Sequence, residues 1–154
     1  MLISLKVYKE GFNEKIRIGD SLEYAGDKYI IIRILEIKKL YFSKSIRLEI
    51  DVLAQKVGEP TNCNEYKKQA QLIDRYDQSR DTKKMVKVGD IIFAEDKYRK
   101  IAYEVISIND IHYEFVELVV EYTVKMIAPW NHHEINKALK DERKSTFKVL
   151  EGGK

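Results

Sequence analysis

Histidine is the side chain most often recruited for metal ligation or acid–base chemistry, and the three histidines here include one adjacent pair, His132-His133-Glu134, with His112 distant in sequence. Neighbours on a helix point about 100° apart. A helical zinc site instead spaces its histidines at i and i+4, so this cluster predicts the surface of a first helical turn and no metal. The lone Cys63 falls where a helix N-terminus would lower a thiol pKa. No base stands beside it in sequence, however, and a single cysteine forms neither an internal disulfide nor a zinc site. Gly19-Asp20 and Gly89-Asp90 recur in the manner of catalytic carboxylates. A tight turn explains them as well, because Gly supplies a positive φ and Asp accepts from nearby backbone N–H groups. Gly152-Gly153 has neither the spacing of a phosphate loop nor a helix after it. The expectation is a chain with no catalytic, cofactor-binding or metal-binding residues.

Ten tyrosines, several beside basic residues, offer a different chemistry: Tyr8-Lys9, Lys28-Tyr29, Tyr66-Lys67 and Lys97-Tyr98-Arg99. Aromatics interleaved with Lys and Arg stack bases while neutralising phosphates. Tyrosine is equally at home in strands and protein interfaces, having an apolar body and a polar tip. Tyr29, Lys28, Tyr98, Lys97 and Arg99 are therefore candidate contacts to a protein partner or to a nucleic acid, the interface reading being preferred. Trp130, the sole tryptophan, follows Pro129 and is read as the N′ residue of a hydrophobic staple against Ile135 or the Lys137 stem. Trp is also enriched among interface anchors.

The elements that must position these groups are repeated. Lys15 to Asp20 returns as Met85 to Asp90, Asp27-Lys28-Tyr29 as Asp96-Lys97-Tyr98, and Pro60-Thr61-Asn62-Cys63-Asn64-Glu65 as Pro129-Trp130-Asn131-His132-His133-Glu134. The period is about 70 residues, an internal duplication to be settled before any fold is assigned. Ile3, Leu5 and Val7 alternate as in a half-buried strand, one with no clear counterpart ahead of the second copy. Further strands are expected at Ile16–Ile18, Leu22–Tyr24, Tyr29–Ile37 and Ser45–Gln55, then at Val86–Val88, Ile91–Ala94, Ile101–Ile108 and a long one over Tyr113–Ile127. Along the last, Val116, Leu118, Val120, Tyr122 and Val124 share an apolar face. Short strands separated by Gly/Asp turns suggest small antiparallel barrels or curved sheets.

Each sheet is expected to hand over to a helix. In Asn62-x-x-Glu65 and Asn131-x-x-Glu134, the Asn caps the first turn and the Glu reaches back to the cap's own N–H. The helices are placed at Cys63 to about Tyr76, with Tyr66, Ala70 and Ile73 as a stripe, and at His132 to about Lys144, with Ile135, Ala138 and Leu139. The predicted class is α+β, mostly β: two tandem related units, each a small antiparallel barrel or curved sheet followed by a short N-capped helix. The boundaries are an N-terminal strand and loop over residues 1–14, a first repeat over 15–76, a polar linker over 77–84, and a second repeat with its tail over 85–154.

With 28 Lys plus Arg against 25 Asp plus Glu, net +3, and signs alternating along the chain, the composition argues against a polybasic nucleic-acid tail. No apolar run approaches the roughly 18 residues of a membrane span, and the N-terminus has no signal-peptide pattern. The expected location is the cytoplasm of the producing cell or a virion assembled there.

The strings Ile16-x-Ile18-Gly19-Asp20-x-Leu22-x-Tyr24-x-Gly26-x-x-Tyr29-x-Ile31 and Val86-x-Val88-Gly89-Asp90-x-Ile92 resemble the opening hairpins of SH3-like small β-barrels, a type found in adaptor, connector and tail subunits of tailed phages and contractile particles. The resemblance covers about 35 residues per copy. It implies a non-enzymatic assembly protein that binds neighbouring protein chains or itself. The alternative is a small-barrel module for single-stranded DNA or RNA; a third reading, an enzyme or small-ligand protein, would place its site in a cleft between the copies.

Overall fold

Alternating apolar residues bounded by Gly-Asp turns pair their backbones laterally, and the chain does this twice. The structure, a computed structural model, describes residues 1–11, 15–42, 45–59, 66–77, 84–95 and 100–152. Strands β1 (Leu2–Glu10), β2 (Ser21–Tyr24), β3 (Asp27–Phe42) and β4 (Ser45–Lys56) form one antiparallel sheet in the order β1-β4-β3-β2. Strands β5 (Gln69–Asp77), β6 (Ile91–Glu95), β7 (Lys100–Glu114) and β8 (Glu117–Met126) form a second in the order β5-β8-β7-β6. Both sheets curl into half-barrels. A helix, α1 (His132–Gly152), follows. The chain divides into one unit of Met1–Thr61 with Pro129–Lys154 and another of Asn62–Ala128.

The two sheets repeat each other in register as well as in order. Leu5↔Val52 between β1 and β4 is matched by Leu72↔Tyr122 between β5 and β8, and Leu22↔Tyr29 by Ile92↔Tyr103. The irregularities recur too. β3 slips between Ile31 and Arg33 and again between Ile34 and Glu36, and β7 slips between Val105 and Ser107 and between Ile108 and Asp110. Such bulges add local twist, which is how a four-stranded sheet is made to curl. Bonds outside the ladders are duplicated with them. Gly19 N–H donates to Ile31 O at 2.8 Å and Ile31 N–H to Asp20 O at 3.0 Å, while Gly89 N–H donates to Val105 O at 2.8 Å and Val105 N–H to Asp90 O at 2.9 Å. At the sheet exits, Val57 N–H to Lys28 O is answered by Ile127 N–H to Ala102 O, both at 2.9 Å.

This register corrects several sequence-based expectations. The span Cys63–Tyr76 holds no helix over its last residues: Gln69–Asp77 is strand β5, the edge of the second sheet and the missing counterpart of β1. Its side chains obey period two, with Ala70 and Tyr76 against the core cluster of Val105, Val120, Tyr122 and Val124 while Ile73 points to solvent. The expected stripe of Tyr66, Ala70 and Ile73 is therefore broken. Asn62 and Glu65 lie outside the described residues, as do 78–83 of the expected linker. The strand drawn from Tyr113 to Ile127 is two, because the chain reverses at Phe115–Val116 between β7 and β8. Tyr29 corresponds to Tyr103 and not to Tyr98, because residues 96–99 lengthen the β6–β7 connection beyond the two-residue Ala25–Gly26 turn. α1 also runs past Lys144 to Gly152.

Where α1 rests follows from one cross-strand row. Leu2, Gln55, Ile30 and Ser21 lie side by side across β1, β4, β3 and β2 and so share a face. Leu2, Gln55 and Ile30 are 1%, 2% and 0% exposed. The Gln55 amide accepts from Trp130 N–H at 2.7 Å and donates to Trp130 O at 2.8 Å, clamping the entry to α1. Farther along the helix, Glu142 accepts from Ser21 N–H at 3.1 Å and from its hydroxyl at 2.7 Å. Ile135 of α1 is buried. The equivalent row of the second sheet is Gln69, Lys125, Glu104 and Ile91, with Gln69 and Lys125 exposed. Gln69, Lys125 and Glu104 are readily solvated, whereas leaving Leu2 and Ile30 in water would forfeit roughly 1.5–3 kcal/mol each.

Gln55→Ala removes a buried amide with two backbone partners, and the expected destabilisation is about 2 kcal/mol. Lys125→Ala at the equivalent exposed position should change stability by less than about 0.5 kcal/mol. Urea unfolding of both variants checks the contrast, and equal effects would contradict this account of the helix seat.

Candidate functional site

Most of the residues singled out by sequence serve the architecture. Asp20 Oδ2 accepts from Arg17 N–H at 2.7 Å and Asp90 Oδ2 from Lys87 N–H at 2.9 Å, so both carboxylates hold the turn in which Gly19 (φ +97°) and Gly89 (φ +96°) reverse the chain. Asn131 Oδ1 accepts from Glu134 N–H at 2.9 Å and Glu134 returns the contact to Asn131 N–H at 2.8 Å, a complete capping box on α1. His132 and His133 stand exposed in the first helical turn. Tyr29 is 3% exposed, its ring edge-on to Tyr24 at 6.3 Å. Lys28 is exposed beside it. Lys97, Tyr98 and Arg99 lie outside the described residues, as does Cys63.

A groove of about 470 Å³ opens between the Arg17–Asp20 turn and α1, with Trp130, Lys137 and Glu142 among its walls. Trp130 is half-buried there, its ring reaching over Gly19. The carboxylates of Asp20, Glu134 and Glu142 are committed to backbone N–H groups, so the groove is the seam of a packed helix. In the second unit, Asp74 and Tyr122 replace the Val7 and Val52 of the first. Tyr76 hydroxyl donates to Asp74 at 3.2 Å and accepts from Val86 N–H at 3.0 Å. Burial and the neighbouring Asp74 push the Tyr122 hydroxyl up to about 12. It stays protonated and ties β8 to β5.

The surface that the architecture does not explain is the β7–β8 hairpin. Ile111, Tyr113, Phe115 and Val116 are all strongly exposed, Phe115 completely so. Phe115 also has φ +55°, in the left-handed region where a bulky side chain costs about 1–2 kcal/mol. Gly, Asn or Asp would normally occupy such a two-residue hairpin loop. Phe115 thus combines backbone strain with complete exposure.

Charge surrounds the apolar tip. Arg75 Nη1 lies 2.7 Å from Glu114 and 3.4 Å from Glu117, and His112 bridges Asp110 at 2.6 Å through Nδ1 and Glu114 at 3.4 Å through Nε2. Beneath them Val119, opposite both Arg75 and His112, is 1% exposed. Asp110 first and Glu114 second hold the His112 pKa above its ordinary value, while Arg75 first and His112 second hold Glu114 below the usual carboxylate range. Sequence reasoning missed this hairpin because Phe115-Val116 carries no turn residue. Alignment of Ile111 with Ile37 of the first copy was the signal that could have found it.

Comparisons with protein-family models, with curated proteins and with solved structures return no match to this chain.

Because the folded-state pKa of His112 is raised, its ion pairs stabilise the hairpin fully below the ordinary value of 6.5 and are lost as pH rises through the raised value. An NMR titration should therefore place the His112 midpoint above 6.5 and Asp110→Asn should lower it; a midpoint at or below the ordinary value contradicts the pairing. Phe115→Asn, which relieves the backbone without unburying anything, should raise stability by about 1 kcal/mol in chemical unfolding, and no gain would mean that the loop holds no strain.

Proposed function

We propose that this protein is a non-enzymatic structural protein, an adaptor or connector subunit of a phage or phage-like particle that binds neighbouring protein chains. The observation that carries the reading is the strained, fully exposed Phe115 at the head of an apolar hairpin tip with Ile111, Tyr113 and Val116. Patches of this kind on a folded chain are interaction sites, and aromatics dominate the energetics of such sites. The duplicated half-barrels add a second support, since the chain presents two rigid copies of one module, each ending in a long two-stranded hairpin. The likeness of the Gly-Asp hairpins to SH3-like barrels of particle subunits points the same way. Among the described residues, Asp20 and Asp90 are taken up in turns, Glu134 in a cap, and Arg75 and His112 in exposed ion pairs. Among the described residues no helix is long and apolar enough to cross a membrane.

Size-exclusion chromatography with light scattering tests the reading on the full chain, alone and mixed with the proteins encoded beside it. A mass above 18.1 kDa in either case is expected, and Phe115→Asn should reduce it. A chain that stays at 18.1 kDa in both would overturn the proposal.

A further inference from the structure

The duplication presents the same sheet edge twice. In each unit the first strand, β1 or β5, runs for nine residues along a single neighbour and forms one margin of the sheet. With Leu5↔Val52 equivalent to Leu72↔Tyr122, Lys6 of β1 and Ile73 of β5 hold one position, at the midpoint of the strand. Their backbones also face the same way. Met126 N–H donates to Lys68 O at 2.8 Å, so alternation gives the even-numbered residues of β5 to the β8 ladder and turns the N–H and C=O groups of Gln69, Gln71, Ile73 and Arg75 outward. The bond from Lys56 N–H to Met1 O at 2.9 Å turns Lys6 outward by the same count. An outward margin is a template for another strand, and proteins blunt it with lysine, proline, bulges or brevity. The first copy obeys: Lys6 is exposed at the centre of β1, its Nζ 2.7 Å from Glu49 and 3.9 Å from Asp51. The second does not. β5 is equally long, contains neither lysine nor proline, pairs with β8 without a slip, and sets Ile73 at its centre, 57% exposed. The equivalent of Glu49 is Val119, so an ion pair has become two aliphatic side chains. Folding of the sheet asks for no such exchange at an exposed edge.

We infer that β5 of one copy pairs antiparallel with β5 of a second copy about a two-fold axis at Ile73, joining the two second sheets into one. Self-complementarity names the occupant. Centred on Ile73, the pairing engages all nine residues of the strand, setting Ile73 against Ile73, Gln71 against Arg75 and Gln69 against Asp77, with no like charges opposed. Directly opposite pairs are the unit of ladder stability, and like charges there destabilise it. The inward carboxylate of Asp74 takes the Tyr76 hydroxyl and falls opposite Leu72. A register centred one or two residues later would oppose Asp74 to Asp74 or Arg75 to Arg75. The same operation on β1 would oppose Lys6 to Lys6, which keeps the first sheet out of it. The contact is isologous and closes at two copies. It uses none of the Phe115 tip, and it rests on the assembly reading above by naming one partner.

Sedimentation and hydrogen exchange on the full chain test this. The wild type is expected to form a dimer of twice 18.1 kDa, in which the N–H groups of Gln71, Ile73 and Arg75 exchange about tenfold or more slower than in dilute, monomeric protein. Ile73→Lys, which installs the residue of the first copy, should weaken dimerisation about tenfold or more and free those amides. The position is exposed, and circular dichroism confirms that the variant folds. Ile73→Leu and Phe115→Asn should still dimerise. A wild type that remains at 18.1 kDa, a dimer whose outward β5 amides exchange freely, or an Ile73→Lys chain that dimerises undiminished would each overturn the inference. A Phe115→Asn chain that is monomeric, or a monomeric wild type that still binds a protein encoded beside it, removes the edge pairing and leaves the assembly reading in place. A chain that neither self-associates nor binds a neighbour removes both.

Discussion

The constraint on which this molecule depends is the pair of backbone hydrogen bonds that ties each Gly-Asp turn to the middle strand beneath it. Gly19 and Asp20 bracket Ile31, and Gly89 and Asp90 bracket Val105, each residue of the strand both giving and receiving a bond. Those bonds fall immediately before the first bulge of β3 and β7, where the ladder loses its regular pairing. A sheet that bends at this point would otherwise leave buried backbone groups unsatisfied, at a cost of about 1–3 kcal/mol apiece. The turn supplies the partners, and the aspartate in turn satisfies the N–H of Arg17 or Lys87. Curvature, turn and core are therefore one device, used twice.

Above that common device the two units diverge chiefly in their side chains. In the first, a row centred on Leu2, Gln55 and Ile30 receives α1; in the second, Gln69, Lys125 and Glu104 take those three places. On the other face, Ile31, Ile50 and Val52 make an aliphatic core, whereas the second unit carries two tyrosines, and Asp74 accepts from the Tyr76 hydroxyl. That contact lies within β5; the bond that ties β5 to the segment ahead of β6 is the one the Tyr76 hydroxyl accepts from Val86 N–H, directional where methyl packing is not. The hairpins diverge most. They extend beyond both cores, where side chains are not constrained by packing.

The turn and cap chemistry was readable from residue types because it is local. Gly with Asp at both turns, the Ala25–Gly26 reversal with both φ values positive, and the Asn131–Glu134 box each act over three or four residues. The apolar even-numbered face of β8 was equally visible, since alternation is a property of the strand itself, and Val120, Tyr122 and Val124 are buried. Strand β5 was not. Gln69, Ala70, Leu72 and Arg75 are good helix formers, and what makes them extended is a tertiary fact, the pairing of the whole segment with β8. Likewise Phe115-Val116 has none of the residues that announce a hairpin, and the reversal is imposed by the ladders on either side. The apolar patch at the candidate site was hidden for that reason: read as one continuous strand, the segment placed Phe115 within a sheet when it stands at the tip of one.

Because α1 follows the second half-barrel in sequence yet seats on the first, the two units are nested and not consecutive. On the ribosome, β1 to β4 emerge with the Leu2 and Ile30 row still bare, and they must wait for every residue of the second sheet before the helix that covers them is made. The inserted unit has its own strands and core in hand by then. The part of the protein that is begun first is thus finished last, and during that interval its unroofed face is the one most in need of protection from other chains.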